Sequence, residues 1–277
     1  MTRHSLLCPN CRRLISRDEP SCPYCGLSRP GASWKVLPLR WFSVFSTHLV
    51  PAIICTNVAL YILSLLLRPP GLGTSANPMT FLAPSDDSLF LLGATGYIPI
   101  GLFGRWWTVL TASFLHGGIL HIFFNMAALA QLGPFVLSAF GAGRFLIIYI
   151  LSGIAGFVLS YMAGVPLTIG ASAGICGLIG AILYYGKSRG GYFGDAIYKQ
   201  AIGWVIGLLV FGFIVPGINN WAHGGGIVTG ILVGYLLGHE GKRSETMLDH
   251  ALAGLAMVST CAALLWAIVQ AALNRLL

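Results

Sequence analysis

Ser172 lies in Gly170-Ala171-Ser172-Ala173-Gly174, at the start of an apolar run. The pattern G-x-S-x-G is the nucleophile elbow of soluble serine hydrolases. A serine hydroxyl becomes a nucleophile when a neighbouring base takes its proton, and imidazole is the commonest base. His223 stands in Ala222-His223-Gly224-Gly225-Gly226. His121 and Asn125 are four residues apart and share one helix face, with His116-Gly117-Gly118 just before them. A second constellation lies upstream: Cys8-Pro-Asn-Cys11, ten intervening residues, then Cys22-Pro-Tyr-Cys25-Gly26. Two thiolates two residues apart grip one side of a tetrahedral zinc ion. A second pair closes the site and leaves no ligand position open for catalysis. Two disulfides or a redox pair are the other uses of such a set.

These residues sit in a chain of 277, 56% hydrophobic and 9% charged, with 36 glycines. Soluble domains carry roughly 25% charge. Together with a mean hydropathy of +0.80, this indicates an all-α polytopic membrane protein rather than a water-faced enzyme. The formal net charge of +8 is not gathered into a stripe, so membrane topology accounts for it and nucleic acid is not expected. Seven apolar runs approach the roughly 20 residues that a spanning helix needs: about 46–67, 119–139, 144–164, 169–186, 199–215, 221–238 and 251–272. Segment 68–118, with Pro69-Pro70, Asp86-Asp87, Trp106 and Trp107, is expected to lie partly in the interface.

The polar, basic start reads as no secretory signal, which places the N-terminus in the cytoplasm. The inner segments then hold Arg3, Arg12, Arg13, Arg17, Arg29, Lys35, Arg40, Arg144, Lys187, Arg189, Lys199, Lys242 and Arg243. The outer segments hold Arg68, Arg105 and Arg275. Thirteen against three agrees with the positive-inside rule and leaves the C-terminus outside. The expected location is the plasma (inner) membrane of a bacterium.

The eight acids, Asp18, Glu19, Asp86, Asp87, Asp195, Glu240, Glu245 and Asp249, all fall outside these spans. That argues against an aspartyl protease and a proton-coupled transporter. His239-Glu240 has Arg243 where a zinc protease of the H-E-x-x-H type needs its second histidine. Cys55, Cys176 and Cys261 are scattered through apolar segments and read as small core residues. What remains in the membrane is Ser172, His223, His121 and Asn125, each near the outer end of its span. Interhelical hydrogen bonding would explain a lone serine. Three helices delivering four such groups to one layer is a stronger coincidence.

Over about residues 45–240 the chain resembles the rhomboid intramembrane serine proteases. The resemblance rests on Gly170-Ala171-Ser172 with Gly174, Gly177 and Gly180, on His116-Gly117-Gly118 through His121-x-x-x-Asn125, and on Ala222-His223-Gly224-Gly225-Gly226. It implies a six-helix bundle around a short serine-bearing helix, followed here by a seventh helix. It also implies a Ser172 nucleophile, a His223 base with no third carboxylate, and an oxyanion hole of His121, Asn125 and the Ser172 N–H. A donor in such a hole is worth roughly 3 kcal/mol. His116, Gly170, Gly174 and Gly226 would support the site. Glycines at 226, 230, 234 and 238 and at 174, 177 and 180 would let the two site helices approach closely.

The sequence departs from the family at three places: Ala173 where glycine often follows the serine, Cys176 where an aromatic often stands, and Trp106-Trp107-Thr108 without an arginine in register. The implied substrates are single-span membrane proteins cut near the outer face. Access would lie beside the fifth span (Trp204, Phe211, Phe213), under a cap at 216–220. No cofactor is implied for catalysis. An inactive rhomboid-fold chaperone or adaptor is the alternative. The expected division is a zinc ribbon at 1–40 with a structural Zn2+ and a cytoplasmic partner, a protease domain at 41–240, and a C-terminal helix within 241–277.

Overall fold

The computed structural model describes residues 5–9, 13–67 and 81–276, and the side chains of these except 33–47 and 275–276. Cys11, Arg3, Arg12, Arg68 and Pro69-Pro70 lie outside them, as do the side chains of Lys35, Arg40 and Arg275. At the N-terminal end, strands β1 (Ser5–Leu7) and β2 (Leu14–Ser16) pair antiparallel, Leu7 opposite Leu14. Beneath them Ile15, Cys8 and Cys22 are buried, with Leu6, Cys25 and Leu27 against them. So small a core stabilises little by itself.

Helix α1 (Ser33–Leu67) starts well before the expected first span. The long loop that follows carries α2 (Asp86–Leu91), a π turn at Ile98–Leu102 and the short α3 (Thr108–Thr111). Then come α4 (Ile119–Phe140), α5 (Ala142–Met162), α6 (Ser172–Arg189), α7 (Gly191–Ile214), α8 (Asn220–Leu237) and α9 (Met247–Leu276). Among the described residues, five helices are long and apolar enough to cross a membrane: His48–Leu67 of α1, α4, α5, α7, and Met247–Asn274 of α9. The expected spans at 169–186 and 221–238 correspond to α6 and α8, which are shorter and richer in glycine. For α6 the surroundings explain the difference. Every residue from Ala173 to Leu183 is buried, so α6 faces protein on all sides and needs no lipid-compatible surface. Helix α7 is the opposite case: only Gly194 and Ala201 are buried along it.

Helix α6 packs against α8 on backbone rather than on side chains. A methyl group at Gly226 would run into the Ala173 carbonyl, one at Gly230 into the Gly177 carbonyl, and one at Gly180 into the Ile227 carbonyl. On the α5 side, a Cβ at Gly225 would stand 2.9 Å from the Gly156 Cα. The glycine periodicity read from the sequence thus becomes a sequence of direct backbone contacts.

Two of the acids expected outside the spans lie on candidate spans: Asp195 in the second turn of α7 and Asp249 in the first turn of α9. Asp249 is explained by Arg144, a residue the charge count assigns to an inner loop. Its side chain is fully buried. The guanidinium donates to Asp249 Oδ2 from Nη2 at 3.0 Å and from Nε at 3.3 Å, and to the carbonyls of Arg243 (2.6 Å), Ser244 (2.7 Å) and Gly238 (3.3 Å). Glu245 accepts the Arg144 N–H at 3.0 Å, in the first turn of α5, where a carboxylate also meets the positive end of the helix. Thr246 and Asp249 exchange side-chain and backbone hydrogen bonds at the start of α9, in the manner of a capping box. One arginine thereby fixes α5, the connection 238–246 and α9 together. Removing one partner of a buried ion pair leaves the other unpaired, at about 3–5 kcal/mol. Arg144→Leu is therefore expected to lower stability by about 3 kcal/mol in detergent unfolding, and Arg144→Lys, without the guanidinium fork, to recover only part of it.

Candidate active site

The turn before α6 sets the geometry. Gly170 has φ +121°, a backbone conformation that favours glycine, and its N–H bonds the Ala112 carbonyl at 2.9 Å. Helix α6 therefore starts at Ser172 itself, three residues later than the apolar run suggests. Ser172 occupies a helix N-terminus, where the first N–H groups have no partner within the helix.

His223 lies in the first turns of α8. Its Nε2 and Ser172 Oγ are 3.0 Å apart. Its other ring nitrogen, Nδ1, is buried and has no hydrogen-bond partner among the described residues. The pair is thus a hydroxyl and an imidazole with no carboxylate behind the ring.

His121, at the start of α4, accepts the Gly117 N–H on Nδ1 at 3.3 Å. A neutral ring then carries its proton on Nε2. A Cβ at Gly170 would come within 2.8 Å of that nitrogen, so the bare Gly170 makes room for the His121 ring beside the serine turn. Asn125, one turn further along α4, is buried and donates to the His121 carbonyl at 2.9 Å. One amide proton is used there and the second is left for another acceptor. His116 is fully buried and packs edge-on against His121, ring centroids 5.0 Å apart. It braces that ring and makes no hydrogen bond among the described residues.

The departures from the family pattern have packing explanations. Ala173 faces Gly156, where an added Cβ would be 3.0 Å from the alanine methyl. Gly174 lies under the Tyr149 ring, where a Cβ would be 2.9 Å away. Cys176 is buried, its Cβ 3.1 Å from the position a Cβ would take at Gly226. Thr108 stands where the family's loop arginine is expected, and an arginine, Arg105, stands three places earlier. Arg105 stacks over Phe90 (4.4 Å) and Trp107 (4.7 Å) and donates to the carbonyls of Phe90 (2.8 Å) and Leu91 (3.3 Å).

The cap expected at 216–220 is pinned at its far end. Asn219 bonds Ser160 and Thr168, and Asn220 bonds the Gly212 carbonyl. Sequence reasoning left Asn219 inside that cap; an asparagine directly before a helix is the capping signal that marks it. His239 packs among Tyr184, Tyr185 and Phe140 and lies 3.3 Å from Ser188 Oγ. Burial, then the charges of Lys242, Arg189 and Arg144, hold its pKa below the ordinary histidine value. It is a packed histidine and not half of a metal motif.

Comparison with known proteins identifies the family. The Rhomboid domain family matches residues 103–240. RHOMBOID-like protein 6, mitochondrial, of Arabidopsis thaliana is 31% identical over 221 residues, covering 70% of this chain and 69% of that protein. The chain belongs to the rhomboid family. Rhomboid protease GluP of Bacillus subtilis (strain 168) is 40% identical over 135 residues, 49% of this chain but 27% of that protein. Inactive RHOMBOID-like protein 8 of Arabidopsis thaliana is 34% identical over 159 residues, 56% of this chain and 44% of that protein. Family membership fixes a helical membrane bundle; since one relative is named as inactive, activity has to be argued from the site. This rhomboid also carries a thiol cluster: the Sγ atoms of Cys8, Cys22 and Cys25 lie within 4.8 Å of one another, Cys8 and Cys25 3.6 Å apart. Tetrahedral thiolates at about 2.3 Å from zinc stand about 3.8 Å from each other, so the three are compatible with a metal site.

Overpacking a tight backbone contact costs about 1–3 kcal/mol. Gly226→Val, on the α6–α8 seam, is expected to cost that much in detergent unfolding. Gly203→Val, where nothing stands within 4 Å, is expected to change stability by less than about 0.5 kcal/mol.

Proposed function

We propose that this rhomboid is an intramembrane serine endopeptidase that hydrolyses single-span transmembrane substrates near the outer membrane face, with Ser172 and His223 as a dyad. The observation that carries the reading is the 3.0 Å contact between Ser172 Oγ and His223 Nε2. Ser172 Oγ attacks the scissile carbonyl while its proton passes to His223 Nε2. The carbonyl oxygen becomes an oxyanion facing the Ser172 N–H, the His121 Nε2–H and the remaining Asn125 amide proton. The intermediate collapses to an acyl-serine ester as the C–N bond breaks and His223 returns the proton to the leaving amine. Water then enters, giving its proton to His223, and the ester breaks to release the acid and restore the serine hydroxyl.

A transmembrane helix hides its carbonyls in its own hydrogen-bond ladder, so substrates have to unwind at the cut, near small or helix-weakening residues. Access is proposed beside α7, which is supported by its sparse packing and by Phe213, 81% exposed. The outer-face geometry rests on the positive-inside bias, with the N-terminus cytoplasmic, the C-terminus outside and a bacterial inner membrane as the setting. Residues 1–40 are proposed to form a zinc ribbon held by Cys8, Cys11, Cys22 and Cys25, in which the metal supplies folding energy that the small core lacks. The rhomboid domain would follow over 41–240, and the extra helix over 241–277. The relative named as inactive favours a second reading, a rhomboid-fold adaptor.

Ser172→Ala and His223→Ala are each expected to lower cleavage of a transmembrane substrate in vesicles by at least about 10³-fold, and to abolish fluorophosphonate labelling. His121→Ala is expected to cost about 10²-fold in kcat with little change in KM. Cleavage undiminished in both dyad variants would remove the Ser172–His223 mechanism, and a wild-type chain that neither cleaves nor takes the label would leave the adaptor. The full chain, purified under reducing conditions, is expected to carry stoichiometric zinc by metal analysis. Cys22→Ser is expected to lose it.

A further inference from the structure

The His223 ring has no carboxylate to orient it, and its Nδ1 has no partner among the described residues. Its placement therefore depends on where the first turn of α8 is held. Asn220 ties that turn to the Gly212 carbonyl of α7; the side chain that ties it toward the serine is Asn219. The Oδ1 atom accepts the Ala222 N–H at 3.1 Å and caps the helix. The Nδ2 atom spends both protons away from α8: on Ser160 Oγ of α5 at 2.8 Å and on Thr168 Oγ1 at 2.9 Å. The Asn219 carbonyl accepts the N–H of His223 itself at 3.2 Å.

Each partner of Asn219 leads to the serine. Thr168 is four residues before Ser172, and its backbone pairs in both directions with Thr95 of the long loop, at 3.1 and 2.7 Å. Ser160 Oγ donates to the Gly156 carbonyl at 2.9 Å. Gly156 is the point on α5 where a Cβ would meet both the Ala222 carbonyl and the Ala173 methyl. Those two residues are the neighbours of His223 and Ser172.

We infer that Asn219 is a positioning residue for the proposed proteolysis: its amide ties the helix start that carries His223 to the turn that delivers Ser172. The inference rests on the protease reading. Asparagine suits the position because it offers one acceptor and two donors from one planar group. Alanine removes all three bonds. Aspartate keeps the cap, and the Thr168 hydroxyl can rotate to donate to it.

The test uses the full chain in detergent and in vesicles. It reads the rate of Ser172 labelling by a fluorophosphonate, which needs the dyad and no transmembrane substrate, beside kcat and KM for cleavage and the unfolding temperature. Asn219→Ala is expected to lower the labelling rate and kcat together by about 10- to 100-fold, the scale of a misplacement of about 1 Å, with KM within about 2-fold. Asn219→Asp is expected to restore part of both. Thr168→Val is expected to lower labelling by about 3- to 10-fold, and the double variant Asn219→Ala/Thr168→Val to fall no further than Asn219→Ala alone. Ser64→Ala, which removes a buried hydroxyl that, among the described residues, bonds the nearby Tyr61 carbonyl, is expected to leave labelling unchanged.

Wild-type labelling by folded Asn219→Ala would overturn the inference. So would a loss that matches its unfolded fraction, or independent, multiplying effects of the two substitutions. If Asn219→Ala does not fold, Thr168→Val decides: unchanged labelling overturns the inference and reduced labelling at an unchanged unfolding temperature supports it. A wild-type chain that takes no label overturns the protease reading itself, a result distinct from all of these.

Discussion

The constraint on which the rest depends is that α6 and α8 meet backbone to backbone. Helices packed through ordinary side chains keep their axes about 8–10 Å apart. Here Gly226 rests on the Ala173 carbonyl and Gly230 on the Gly177 carbonyl, which brings the axes closer. Ser172 and His223 stand where this seam meets the N-terminal ends of both helices, and their short side chains meet at 3.0 Å because the backbones already do. The glycines carry a cost. They remove apolar side chains from the facing sides of both helices; α6 is enclosed by protein, whereas α8 keeps Val228, Leu232, Tyr235 and Leu236 exposed on its other side. Helices α4, α5 and α7 cover α6, and α1, α4, α5, α7 and α9 supply the candidate spans.

Polar groups inside such a bundle are tolerated where their hydrogen bonds are satisfied. Three of them act as fasteners. Arg144 joins α5 to α9 and the connection before it. Arg105 folds the long loop over Phe90 and Trp107. Asn219 joins α8 to α5 and to the serine turn. Each spends several donors on partners distant in the chain, and each works at a helix end, its own or a partner's, where free carbonyls and hydroxyls are within reach. Helix interiors have no such acceptors to spare, which is why the fasteners gather at the two ends of the bundle.

The sequence carries the class of the fold, because long apolar runs and few charges speak for themselves. The residues that meet at the site are also legible, since Ser172, His223, His121 and Asn125 each stand near the end of an apolar run with glycines beside them. Helix starts are legible less well. Hydropathy places the start of α6 near residue 169, but the positive φ of Gly170 delays it to Ser172. That delay turns the serine N–H into a free helix-terminal donor. Charge counting places Arg144 only in an inner segment. Its burial depends on Asp249 and Glu245, about a hundred residues later, and no local pattern announces a pairing at that distance. Asn219 was readable as a cap, whereas its two cross-links depend on where α5 ends.

The bundle is supported unequally on its two sides. Helix α5 is held from behind by α9, through the Arg144 cluster at one end, and from the front by α6 and α8 at Gly156 and Ser160. Ser172 and His223 therefore approach one another against a stiff wall. On the far side α7 buries only Gly194 and Ala201 and has no polar fastener along its span beyond the bond from Asn220 to Gly212, among the described residues. A helix held by so little protein is the one that can move aside at least cost, because lipid replaces the contacts it gives up. The same asymmetry that holds Ser172 and His223 together is what favours α7, rather than α9, as the side on which access is proposed.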